Sequence, residues 1–266
     1  MSAAIKLSSP ATKEFWEIPV LFEDEHLLAL DKPSGLLTSP DRYDLKRPNL
    51  MRLLHQGIEQ KKPWAVARNL TYLANAHRLD FETSGILLLA KSKPVLVELA
   101  NLFGTQKPTK TCFAIVTGTP YEEKFTVDAA LAPHPLQPGL MRVDPKNGKK
   151  SKTEFEVAEK FQGYALIRCR PLTERPHQIR VHLSRAGFPI ASDPLYGGRS
   201  VMLSTLKRGD YRLKPGQEER PLITRVALHA AELILPHPVT GAGVKIEAPL
   251  PREFQVALKY LRRYAV

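Results

Sequence analysis

Short runs in which every second residue is apolar alternate along the chain with longer stretches in which apolar residues recur every three or four positions. These are the periods of half-buried strands and of amphipathic helices. Residues 18–30, Ile-Pro-Val-Leu-Phe-Glu-Asp-Glu-His-Leu-Leu-Ala-Leu, predict two short strands about an acidic turn, followed by a turn at Lys32-Pro33-Ser34-Gly35. The apolar run 85–90 is short enough for a buried strand, and over 93–106 Val95, Leu96, Leu99, Ala100, Leu102 and Phe103 repeat at helical spacing, which predicts a helix packed on the sheet. Further strands are predicted over 112–116, 153–157 and 164–172. Thr173 and Pro176 then mark a helix start and Gly187 its stop, which places residues 175–183 on a short helix. Residues 226–235 and 244–248 flank a Pro/Gly-rich turn as in a hairpin, and Phe254, Ala257, Leu258 and Leu261 share one face of a closing helix.

No internal repeat, low-complexity tract or domain-separating linker interrupts this pattern, and 23 prolines spread through the chain imply many ordered turns. The expected fold class is α+β: one domain with a mixed, largely antiparallel β-sheet core and peripheral helices, over residues 18–266, behind an N-terminal extension of residues 1–17. A length of 266 residues with 43% hydrophobic content is ample for a core. Lys and Arg outnumber Asp and Glu by 39 to 27, and the resulting +12 charge attracts phosphate backbones before any specific contact forms. The basic residues gather in two stretches expected to be exposed loops: 133–152, with Arg142, Lys146, Lys149, Lys150 and Lys152, and 199–220, with Lys207, Arg208, Arg212 and Lys214. Taken singly, each such lysine is ordinarily a solvated side chain. The two cysteines, Cys112 and Cys169, lie far apart and indicate neither a disulfide framework nor a zinc site, in keeping with a reducing cytoplasm. No stretch approaches the roughly eighteen apolar residues of a membrane span.

Two constellations carry chemistry. The first, His77-Arg78-Leu79-Asp80-Phe81-Glu82-Thr83-Ser84-Gly85, leads straight into the apolar run; alone, such a segment is as readily a turn with a structural ion pair. The second is Thr173-Glu174-Arg175-Pro176-His177-Gln178-Ile179-Arg180-Val181-His182-Leu183, with Ala191-Ser192-Asp193 and Tyr196-Gly197 beyond it. Read as an amphipathic basic helix, it turns Ile179 and Leu183 to the core and leaves Arg175 and His182 for solvent or phosphate. His177 and His182 are five apart, not the four of a metal pair on one helix face, which argues against a zinc hydrolase.

Together the two constellations resemble the RluA-type family of pseudouridine synthases, marked by a His-Arg-Leu-Asp-x-x-Thr-Ser-Gly block and a later His-Gln-Ile-Arg-Val-His-Leu block. The resemblance extends from Val20-Leu21-Phe22-Glu23-Asp24 and Lys32-Pro33-Ser34-Gly35, through Gly118, to Leu228-His229-Ala230 and Ala248-Pro249-Leu250-Pro251. It implies a monomeric enzyme that needs no metal or organic cofactor and isomerises uridine to pseudouridine in ribosomal or transfer RNA. Asp80 is then the nucleophile or electrostatic stabiliser, and Arg180 pairs with it to hold it ionised. The target base is flipped out of the RNA. Arg78 would brace the vacated stack, and His77, Arg175, Lys149, Lys150, Lys207 and Arg208 would add RNA contacts.

Two positions depart from the family. Cys112 stands where a tyrosine is expected to stack on the uracil and assist the final proton removal; its thiol could pass a proton, and Phe113 or another aromatic would have to stack. Glu174 replaces a glycine and could compete with Asp80 for a cation. These departures leave open a catalytically impaired RNA-binding relative as the alternative. A nucleoside hydrolase or transferase with an aspartyl nucleophile would leave the +12 charge unused. Many relatives carry a small RNA-binding domain ahead of the catalytic one; with only residues 1–17 before the first matching block, recognition is expected to rest on the catalytic domain and its loops.

Overall fold

A computed structural model describes residues 4–41, 44, 46–207, 211–213 and 216–266. Its chain divides into two compact units, Met1–Lys110 with Ala230–Ala248 and Thr111–His229 with Pro249–Val266. Among the described residues no helix is long and apolar enough to cross a membrane.

The first unit opens with an antiparallel hairpin, β1 (Ile5–Ser9) and β2 (Glu14–Ile18), whose Ile5, Leu7 and Ile18 join the unit's core. The boundary expected after residue 17 therefore falls inside a strand. β3 (Val20–Glu23) and β4 (Leu27–Lys32) pair antiparallel around Asp24, whose carboxylate accepts from the N–H groups of His26 (2.8 Å) and Leu27 (2.7 Å). Then come α1 (Leu50–Glu59), α2 (Pro63–Val66), the short β5 (Ala74–Asn75), β6 (Ser84–Ala90) and α3 (Lys93–Gly104). β4 and β6 pair from Leu27↔Ala90 to Lys32↔Gly85, and the two-residue alternation splits their side chains between two cores. Leu28, Leu30, Leu87 and Leu89 pack with Leu50, Leu53 and Leu54 of α1, while Leu27, Ala29, Ile86, Leu88 and Ala90 pack with Val95 and Leu99 of α3. Covered on both faces, β6 is buried along its whole length, which is why it reads as an unbroken apolar run.

The second unit is built on the antiparallel order β7 (Thr109–Thr117), β12 (Tyr164–Pro171), β11 (Lys152–Phe161), β8 (Lys124–Asp128), with β9 (Leu131–Pro133) and β10 (Met141–Val143) as a separate small ladder. It adds α4 (Gln178–Arg185), a 3-10 turn at Pro194–Tyr196 and α5 (Leu203–Lys207). β13 (Leu228–Pro236) passes into the first unit at Ala230 and forms a hairpin with β14 (Gly243–Glu247). The closing α6 (Arg252–Tyr264) buries Phe254, Ala257, Leu258 and Leu261, as their spacing predicts. The architecture is the mixed, largely antiparallel sheet core with peripheral helices expected for an α+β fold.

α4 begins later than predicted. His177 sits in the left-handed region (φ 52°), and the Gln178 side chain does the work of a first helical turn. Its Oε1 accepts from Arg175 N–H (3.1 Å) and the Thr173 hydroxyl (2.9 Å), and its Nε2 donates to Lys152 C=O (3.0 Å) and the Thr153 hydroxyl (2.9 Å). Residues 173–177 are thereby held as a turn.

Candidate active site

In the first unit the half-buried Asp80 lies on the loop that leads into β6, and the peptides around it are tied to the segment following β4. The Thr38 hydroxyl donates to Leu79 C=O (3.0 Å) and accepts from Leu79 N–H (3.2 Å). Gly35 N–H donates to Phe81 C=O (2.9 Å), the Ser34 hydroxyl to Glu82 C=O (2.7 Å), and Thr83 N–H to Asp80 C=O (3.2 Å). The fully buried Lys32 holds the clasping segment by donating to Pro33 C=O (2.8 Å) and Leu36 C=O (2.7 Å). The Lys-Pro-Ser-Gly turn is thus the scaffold of the Asp80 loop, a role its spacing did not announce. Arg47 covers the Phe81 ring at 4.0 Å.

His77 corrects an expected RNA contact. Only 6% exposed, it accepts Leu88 N–H on Nε2 (3.1 Å) and packs on Phe103. Burial, aided by the positive charge of Lys110 and opposed by a hydrogen bond to the Arg78 backbone, holds it well below the ordinary histidine range, so it is neutral scaffold. Arg78, by contrast, is exposed.

In the second unit Arg180 is 1% exposed, and its Nε and Nη2 each donate to one oxygen of the fully buried Asp193 at 2.8 Å. Its guanidinium also lies 5.1 Å from the centre of the Tyr196 ring. Tyr196 Oη accepts Met141 N–H (3.0 Å) and meets His177 Nδ1 (2.7 Å). Gly198 N–H caps the Asp193 turn by donating to Asp193 C=O (2.7 Å), and a Cβ there would sit 1.7 Å from Ile190 C=O, so only glycine fits. Asp193 stands in the second constellation but its sequence pattern assigns it no role, although a buried arginine on a core-facing helix demands a carboxylate somewhere. His182, which spacing assigned to solvent or phosphate, is fully buried; it accepts from the Thr153 hydroxyl (2.9 Å) and donates to Ala129 C=O (3.1 Å), and burial lowers its pKa.

Cys112 is buried on β7, directly opposite Cys169 on β12, and no disulfide joins them. Burial first, and Cys112 second, push the Cys169 thiol well above its usual range. Phe113 is the next residue on the strand and so faces away from Cys112; it meets Arg168, whose guanidinium is 5.7 Å from the ring. Phe113 therefore cannot replace a tyrosine at position 112. Glu174, Lys149 and Lys150 are exposed, and Arg175 is half-buried with its Nε on Lys150 C=O (3.2 Å). Lys207 is half-buried with its ammonium 5.2 Å from the Tyr264 ring centre. Arg208 and Lys214 lie outside the described residues.

A family profile described as RNA pseudouridylate synthase matches residues 26–185, which include both constellations up to Arg185. The chain is 36% identical over 248 residues to ribosomal large subunit pseudouridine synthase C of Salmonella typhi, covering 92% of this chain and 70% of that protein. It is 32% identical over 252 residues to ribosomal large subunit pseudouridine synthase D of Pseudomonas aeruginosa, covering 93% and 72% respectively. Among solved structures, human RNA Pseudouridylate Synthase Domain Containing 4 shares the fold with a TM-score of 0.68 at 24% identity, over 91% of this chain and 92% of the other.

Proposed function

The chain belongs to the RNA pseudouridylate synthase family, and from that premise we propose that it isomerises uridine to pseudouridine in large-subunit ribosomal RNA, with Asp80 as the reacting carboxylate. The observation that carries this reading is the Asp80 loop: a half-exposed carboxylate on a backbone tied at Leu79, Phe81, Glu82 and its own carbonyl. Pre-organisation of that kind suits a group that must meet the sugar and base of a bound nucleotide in one orientation. In the reaction the bond from ribose C1′ to uracil N1 breaks and one to C5 forms; C5 loses a proton and N1 gains one.

Arg180 is the cation we assign to Asp80. Its charge is already matched by Asp193, so its contribution would come from directed N–H donors more than from net positive charge. The target base would be flipped at a cost of a few kcal/mol, and Arg78 is the exposed group placed to brace the gap. Cys112 would pass the final proton in place of the family's tyrosine.

The reading is tested with ribosomal RNA labelled with tritium at uridine C5. Wild-type protein is expected to release tritium, and Asp80→Ala to abolish release while RNA affinity stays within about twofold, because the carboxylate does chemistry and the basic surface supplies binding. Cys112 favours one other reading, an RNA-binding relative without turnover. No turnover of any cellular RNA by the purified protein, with a salt-dependent affinity indifferent to Asp80→Asn, would favour it.

A further inference from the structure

Resting on that reading, we propose that Thr38 is a positioning residue for the reaction: its hydroxyl sets the direction of the Asp80 carboxylate by clamping the residue before it. Thr38 is 1% exposed, so its hydroxyl makes its bonds away from water. Both bonds go to Leu79, one from each end of the residue. The Leu79 carbonyl belongs to the same planar peptide unit as the Asp80 N–H, so holding that oxygen at 3.0 Å fixes the plane from which the Asp80 Cα departs. The peptide on the far side of Asp80 is held by Thr83 N–H on the Asp80 carbonyl. With both flanking planes set, the side chain keeps only its own rotamer freedom.

Thr38 is itself anchored. Its carbonyl accepts Met51 N–H (3.1 Å) and the Leu37 carbonyl accepts Leu50 N–H (2.8 Å), so two of the first N–H groups of α1, which lack intrahelical partners, bolt residues 37 and 38 to the helix. Asn49 caps the same end by accepting Arg52 N–H on its side chain (2.9 Å). The Asp80 loop is thereby referred to a helix whose Leu50, Leu53 and Leu54 sit in the core, an arrangement suited to holding a reacting group within tenths of an ångström. A valine would fill the same volume without the hydroxyl and take that partner away from both polar groups of the half-buried Leu79.

Thr38→Val is expected to lower kcat about 10- to 100-fold with KM for RNA within about twofold, the pattern of a lost alignment and not of lost binding. Thr38→Ser, which keeps the hydroxyl, should return kcat to within about threefold of wild type. A Val variant with unchanged kcat, or a Ser variant as impaired as the Val variant, overturns the proposal. Hydrogen exchange supplies a readout independent of turnover: in the Val variant the Leu79 amide should exchange at least about tenfold faster while the Ile86 to Ala90 amides stay protected. Should wild-type protein prove inactive on every RNA, the function reading fails; the clamp is then judged by exchange, and an unchanged Leu79 rate refutes it.

Discussion

A guanidinium with 1% exposure and a carboxylate with none are stable together and costly apart, and Arg180 with Asp193 is such a pair. Asp193→Asn keeps the shape and removes the charge; it should destabilise the protein by about 3–5 kcal/mol in urea unfolding, because it takes a carboxylate away from a buried cation that donates to both of its oxygens. The double variant Arg180→Met, Asp193→Leu should be more stable than either single one while remaining without turnover, which separates the pair's part in folding from the part in chemistry proposed for Arg180. Buried histidines set a second residue-scale effect. His77 and His182 have pKa values lowered by burial, so the native state leaves them neutral where the unfolded chain, near 6.5, takes up protons. The unfolded state thus binds more protons below about pH 6.5, and stability falls with acidification, by up to about 1.4 kcal/mol per pH unit for each histidine. Urea midpoints at about pH 7.5 and about pH 5.5 should show this, and His77→Gln, which can still accept Leu88 N–H, should reduce the slope by up to one proton's share.

At the scale of elements, the join between the Asp80 loop and β6 depends on Gly85. Its φ is +113°, and a Cβ would stand 2.1 Å from Ala230 C=O on β13, so Gly85→Ala must push the two strands apart. A loss of at least about 2–3 kcal/mol is expected, read from the urea midpoint, with the Asp80 loop losing exchange protection before α3 does. Much at this scale was legible in the chain. β4 and β6 follow from short apolar runs buried on both faces, and α3, the β13–β14 hairpin and α6 from the spacing of the residues they bury. The β1–β2 hairpin was not, since in β1 only Ile5 and Leu7 carry the apolar alternation, too few residues to mark a strand. α1 carried a usable signal, an Asn49 cap before Leu50, Leu53 and Leu54, although residues 40–48 ahead of it give no period. The true start of α4 was hidden because a side chain, Gln178, stands in for backbone bonds. Asp80 and Arg180, the residues proposed for the chemistry, stand out in the chain through the blocks that contain them. Asp193 and Thr38 do not: their contacts to Arg180 and Leu79 span 13 and 41 positions, and no local pattern encodes a pairing at that separation.

For the whole molecule the governing quantity is charge. A net +12 over 266 residues gives a long-range attraction to any polyanion, and counterion release makes the resulting affinity depend on salt and little on sequence. Log affinity for RNA should fall linearly with log salt, with a slope of about −0.7 to −0.9 for each phosphate neutralised. The exposed Lys149 and Lys150 have ammonium groups at the end of long, solvated stems, so Lys149→Ala and Lys150→Ala should each shallow the slope by about one such increment and weaken all RNA sequences alike. Lys207, already half-buried with its ammonium over Tyr264, has less to gain from a phosphate, and its replacement by alanine should change the slope by less than either. Equal slopes for wild type and the Lys149→Ala, Lys150→Ala double variant would show that RNA binds elsewhere on the surface. Because none of these lysines belongs to the Asp80 loop or the Arg180 pair, their loss should raise KM and leave kcat at saturating RNA unchanged, the inverse of the effect expected at Thr38.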